Sequence, residues 1–315
     1  MQKWIIAVSF FINLLLGFIL LSKENKPVDQ SVNNSLQEEK YPLISKRVFV
    51  ENPNDILVNF VPLRKTLQNM LAGQGDLVSL YFEYLPSGTS IGINEKNEVR
   101  LSSLSKIPTA MAIYAKIKAG KLSKDQEIII EEKFIDPEFG SLWKNAPGAK
   151  VTLSDIITAS ITESDNTAQN ILLSLLTSDE INSVYEYLDI PFREEYSYPI
   201  ISAKNYSSIL RSLYLSSFLP FQDSNEILDL MTESIYTDKI PAKIPPSIKI
   251  AHKIGVYEKI DVDNSTFSDC GIIYIPKRPY ILCIMTKGSN SFAQSTMSSL
   301  SKIIYDYVVS QSQKK

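Results

Sequence analysis

The chain has 315 residues, of which 44% are hydrophobic and 21% charged, with a net charge of -3 at neutral pH; this is an ordinary globular composition with room for one large domain or two small ones. Slight acidity, with no basic stripe carrying interleaved aromatics, argues against a nucleic-acid binder. Two cysteines, Cys270 and Cys283, and one histidine, His252, exclude a disulfide scaffold and a multi-histidine zinc site, so nucleophilic chemistry here would lean on lysine as its base. No metal or organic cofactor is expected.

In chain order, Trp4 to Leu21 is an uncharged apolar run close to the length that crosses a bilayer, and no small-x-small cleavage site follows it. Residues 1–22 therefore read as an uncleaved signal-anchor helix, with a cleaved signal as the alternative. A large folded domain after such a segment is expected to face outward, attached to the cell membrane by a single pass. Residues 23–56 are polar and without periodicity, a juxtamembrane linker. A domain over 57–312 follows. It opens with a helix over 59–73, with Leu63, Leu67, Met70 and Leu71 at helical spacing and Gly73 as its stop. "DLVSLYFEYL" and "SIGIN" predict a hairpin, and 104–119 a helix. A long helical middle reaches residue 234. Strands over 248–256, "CGIIYI" and "YILCIM" come next, then a helix over 294–309. The expected class is α/β in the α+β sense: about five antiparallel strands flanked by terminal helices, plus an all-helical lobe. Cys270 and Cys283 fall on adjacent strands of the last hairpin and read as reduced core residues, diagonal neighbours at most.

Residues 101–110 read "LSSLSKIPTA", a serine three positions before a lysine at a helix start. The spacing S-x-x-K also occurs at Ser141/Lys144, Ser299/Lys302 and Ser312/Lys315, so alone it means little. Two further triplets follow in order. Ser164-Asp165-Asn166 precedes an apolar helical run, and Lys253-Ile254-Gly255 lies on a predicted strand. On a helix, positions three apart share a face, so Ser103 and Lys106 can touch. The helix N-terminus favours an oxyanion nearby. Burial and a neighbouring cation would favour an uncharged lysine able to accept a proton. Each residue also has a plainer reading: Ser103 as an N-cap, Ser164 or Asp165 as the cap of the next helix, Lys253 as a solvated strand residue, and His252 as structural.

The ordered set Ser103-x-x-Lys106, Ser164-Asp165-Asn166, Lys253-Ile254-Gly255 resembles the signatures of class A β-lactamases and penicillin-binding proteins. "VTLSDIITASITESDNTAQNILL" and "DCGIIYIPKRPYILCIMTKG" extend the likeness over roughly 57–312. The resemblance implies a serine acyl-hydrolase opening a β-lactam ring through a Ser103 acyl-enzyme, with Lys106 as base and Ser164 relaying a proton to the leaving nitrogen. It further implies that Asn166 holds the substrate amide, that Lys253 pairs with its carboxylate, and that Gly255 and Val256 lie against the substrate. The oxyanion hole would be the N–H groups of Ser103 and Val256. The implied partners are a β-lactam or a peptidoglycan stem peptide, and the expected state is monomeric.

Two departures keep alternatives open. Ile254 replaces the usual threonine of the third motif. The stretch "YLDIPFREEYSYPIISAKNYSSIL" is short for the family's deacylation loop, and neither Glu194 nor Glu195 has an asparagine four residues later. A D-Ala-D-Ala carboxypeptidase or transpeptidase and a non-catalytic cell-wall-peptide or partner-binding protein are the rival readings.

Overall fold

The computed structural model describes Leu43 and residues 58–191, 193–195 and 198–312. The expected signal-anchor and nearly all of the expected linker lie outside the described residues. Leu43 departs from the expectation of a solvated linker. It is buried, its N–H donates to Asn225 Oδ1 and its carbonyl accepts from the Tyr274 hydroxyl. Among the described residues, no helix is long and apolar enough to cross a membrane.

Helix α1 (Val61–Leu71) buries Leu63, Leu67 and Leu71, one stripe at a spacing of four, while Met70 falls on its exposed edge. Strands β1 (Val78–Tyr84) and β2 (Thr89–Ile93) form the first hairpin, turned by Gly88 at φ 69°. Then come β3 (Glu98–Arg100), a 3-10 turn over Ser102–Ser105 and helix α2 (Lys106–Lys118). Short strands β4 (Glu127–Ile129) and β5 (Lys150–Thr152) pair with each other. The helical lobe follows: α3 (Leu153–Thr162), α4 (Asn166–Ser174) and α5 (Ser178–Tyr187). Strands β6 (Arg193–Glu195) and β7 (Tyr198–Ser202) come next, then α6 (Ala203–Leu215) and α7 (Phe221–Thr232). The chain closes with β8 (Ile250–Tyr257), β9 (Thr266–Ile273), β10 (Tyr280–Lys287) and α8 (Asn290–Ser312).

The main sheet has five antiparallel strands, as expected; their order is β2-β1-β10-β9-β8, with β8 at its edge. Alternation along each strand separates two faces. One face carries Leu80, Phe82, Tyr84, Tyr280, Leu282 and Ile284 and packs on α1 and α8 through Leu63, Leu67, Met297, Leu300 and Ile304. The other carries Tyr81 and Glu83 and meets α6, where Arg211 forms a two-pronged pair with Glu83. Helices cover both faces, so β1, β9 and β10 are buried along almost their whole length.

The cysteines correct the sequence reading. Cys270 and Cys283 are directly opposite in the β9–β10 register, not diagonal, with Cα atoms 3.9 Å apart, and they form a disulfide. The same row continues to Lys253 on one side and Tyr81 on the other.

Candidate active site

Ser103 sits in the turn between β3 and α2. Leu101 N–H donates to the Pro199 carbonyl at 2.8 Å, and the Tyr206 hydroxyl donates to the Leu104 carbonyl at 3.2 Å, so β7 and α6 hold the turn from two sides. Ser102 stands at φ 46°, a left-handed conformation that costs a non-glycine residue about 1–3 kcal/mol and persists only where its surroundings impose it. The Ser103 side chain caps no helix. Its Oγ lies 2.9 Å from Lys106 Nζ.

Lys106 is buried in the first turn of α2. Its Nζ donates to the Ser164 carbonyl at 2.8 Å and to Asn166 Oδ1 at 2.8 Å, and lies 3.4 Å from Ser164 Oγ. An uncharged amine has two N–H groups and one lone pair. The two carbonyl-type acceptors occupy both N–H groups, leaving the lone pair for the Ser103 hydroxyl. Burial lowers the Lys106 pKa to about 8, against the opposing pull of Asp165, Asp136 and Glu138.

The second motif enters from the loop between α3 and α4. Asp165 is the N-cap of α4, with Oδ1 accepting from Ala168 N at 2.7 Å and Oδ2 from Leu142 N at 2.7 Å. Burial pushes its carboxyl above the ordinary value, while those N–H groups hold it down. Because Asp165 caps the helix, Ser164 is free of that duty. Ser164 adopts φ 55° and directs its Oγ to Lys253 Nζ at 2.8 Å.

Lys253 is not a solvated strand residue; it is 1% exposed. Burial first, then the Lys106 charge, depresses its pKa well below the lysine value. Gly255 is on the same face of β8, two residues on. A Cβ there would lie 3.1 Å from Leu104 Cγ and 3.4 Å from the Leu101 carbonyl, so its hydrogen lets the edge strand close on the Ser103 turn. Val256 is the next residue of that edge strand. Ile254 points to the other face and is buried opposite Asp269. His252 has a structural place: its Nδ1 pairs with Asp269 Oδ1 at 2.8 Å, and Asp269 Oδ2 accepts from Ile240 N.

Sequence reasoning missed the residues that hold the second motif. Ser141 Oγ donates to Glu163 Oε2 at 2.6 Å, the Tyr236 hydroxyl donates to the Glu163 carbonyl at 2.9 Å, and Asn166 N donates to the Phe139 carbonyl. Gly140, at φ 86°, lets Asp165 approach so closely that a Cβ would meet Oδ2 at 2.1 Å. An isolated glycine between Phe139 and Ser141 was the signal available. Over the stretch that is short for the family's deacylation loop, the chain makes the β6–β7 hairpin, paired through β7 to β3, with Glu194 and Glu195 on β6.

A five-stranded antiparallel sheet between helices, with serine, two lysines and a second serine hydrogen-bonded at its edge, defines the active-serine acyl-transferring class of hydrolase. A sequence profile of the β-lactamase enzyme family matches residues 62–308; the chain belongs to that family and is a β-lactamase-like serine hydrolase. It is 21% identical over 271 residues to β-lactamase VEB-1 of Pseudomonas aeruginosa, covering 78% of this chain and 90% of that one. Its fold is similar to that of TLA-3 extended-spectrum β-lactamase (16% identity, TM-score 0.73, 80% of this chain and 100% of that one). It is also similar to PBP-A (20% identity, TM-score 0.71, 79% and 97%) and to a β-lactamase of Sphaerobacter thermophilus (19% identity, TM-score 0.70, 80% and 98%).

Proposed function

We propose that this chain opens β-lactam rings by acyl transfer to Ser103. The observation that carries the reading is the chain of contacts Ser103 Oγ–Lys106 Nζ–Ser164 Oγ–Lys253 Nζ, at 2.9, 3.4 and 2.8 Å. Ser103 Oγ attacks the lactam carbonyl as its proton passes to Lys106. The Ser164 proton goes to the leaving ring nitrogen as the C–N bond breaks, and Lys106 returns a proton to Ser164 and is neutral again. Lys253 donates to Ser164 and is the amine that pairs with the substrate carboxylate. Asn166 Oδ1 is committed to Lys106, so its Nδ2 is the group left to donate to the acyl-side amide. The N–H groups of Ser103 and Val256 receive the oxyanion.

The stretch 187–210 carries no Glu-x-x-x-Asn pair, and among the side chains that are described no carboxylate hydrogen-bonds to Ser103, Lys106 or Ser164. Acylation is therefore expected to outrun deacylation. A chromogenic cephalosporin should give a burst equal to the enzyme concentration, then slower turnover, with a covalent adduct visible by mass spectrometry. Ser103→Ala should abolish both, and absence of an adduct with several β-lactams would overturn the proposal. The competing outcome of this test is a penicillin-binding-like peptidase. Release of D-alanine from a stem peptide faster than cephalosporin hydrolysis would select it.

The apolar run Trp4–Leu21 and the Cys270–Cys283 disulfide support a membrane-anchored domain in an oxidising, extracytoplasmic compartment. The full chain should then fractionate with membranes and be cut by protease added outside intact cells. Recovery in the cytoplasmic fraction would reject this placement.

A further inference from the structure

Ser164 must hold an unusual backbone, and part of what holds it comes from outside the three motifs. Its φ of 55° is set by two peptide planes. The plane that follows it is fixed at both ends: Asp165 N donates to the Ala159 carbonyl, and the Ser164 carbonyl accepts from Lys106 Nζ. The plane that precedes it carries the Glu163 carbonyl, which accepts from the Tyr236 hydroxyl at 2.9 Å. Tyr236 belongs to the segment between α7 and β8. The neighbouring Ile235 N donates to the Thr162 carbonyl, so this segment is docked along the end of α3. Ser141 holds the Glu163 side chain but leaves the orientation of its carbonyl free.

We infer that Tyr236 is a positioning residue for the acylation step: its hydroxyl fixes the Glu163–Ser164 peptide plane and so holds Ser164 Oγ between the two lysine amines, where it can pass a proton to the leaving nitrogen. The inference rests on the acyl-transfer reading above. Burial, together with the charges of Glu163 and Asp165, raises the pKa of the Tyr236 phenol above its ordinary value, so the hydroxyl remains a donor wherever the enzyme works.

The consequence is selective. Breaking a lactam C–N bond requires a proton on nitrogen, whereas a thiolate leaves a thiolester without one. The test measures acylation of wild type, Tyr236→Phe and Ser164→Ala by a penicillin and by a D-alanyl-type thiolester, with the urea midpoint of each variant. Tyr236→Phe should acylate with penicillin about tenfold more slowly, the loss of one hydrogen bond's worth of alignment. It should stay within about twofold of wild type on the thiolester. Ser164→Ala should show the same selectivity with a larger penicillin defect. Equal losses on both donors, or no loss on penicillin, would overturn the inference by reducing Tyr236 to a fold contact or a bystander. If wild type is acylated by neither donor, the acyl-transfer reading itself fails, which the wild-type lane alone reports.

Discussion

In the proposed acylation, Lys106 is the residue that sets the pH dependence. As a base it must be uncharged, and burial brings its pKa only to about 8. Below that value the ammonium form dominates and Ser103 has no acceptor for its proton. The second-order rate of penicillin acylation should therefore rise with pH, about tenfold per unit below the inflection, and level off above it. Asp136 and Glu138 favour the charged form, so Asp136→Asn with Glu138→Gln should move the inflection down. The shift should be a few tenths of a unit at most, because both groups lie near solvent and salt screens them. A profile flat from about pH 6 to 9 would show that Lys106 is already neutral and that its base role needs no titration.

At the scale of elements, the site depends on how α4 is tied to the 139–142 segment. Asp165 bridges the two, and Gly140 makes room for it. Gly140→Ala would bring a Cβ into the Asp165 carboxylate and place alanine at φ 86°. The expected result is a destabilisation of roughly 2–4 kcal/mol, from left-handed strain together with a displaced cap. Acylation should fall with it as Ser164 and Asn166 shift, read as a lowered urea midpoint together with a slower burst. Unchanged values would mean that the segment swings away without cost. This tie also shows where sequence reading stops. β1, β8–β10 and the lobe helices announce themselves by apolar runs and by period, and the three motifs by their order. β3 to β7 are three to five residues long, too short for any period, and exist because tertiary pairing supplies their partners. Tyr236, Ser141 and Gly140 act through single contacts across distant stretches, which leave no pattern in composition. The cysteine reading failed for a related reason: opposed and diagonal cysteines share a face and differ only in hairpin register, which strands buried on both faces do not fix by alternation.

Across the whole molecule, the sheet lies between the terminal helices and the helical lobe, and the disulfide is a covalent rung between two of its strands. Cys270 and Cys283 are 13 residues apart in sequence. Closing a loop of that size restricts the unfolded chain by about 3 kcal/mol in the chain-entropy account. Replacing both by alanine should therefore lower the melting temperature by several degrees, at roughly 2–4 °C per kcal/mol for a domain of this size. Acylation at 25 °C should change little. Lys253 stands in the same cross-strand row as the two cysteines, yet its Nζ is held by Ser164 Oγ and the Ile254 carbonyl rather than by sulfur. Stability and chemistry should thus separate in the double variant, measured by thermal melting beside the penicillin burst. Lost acylation with an unchanged melting temperature would reverse the assignment: the rung would then be setting the position of Lys253, and the oxidised state of this hairpin would be a condition of catalysis, not of folding.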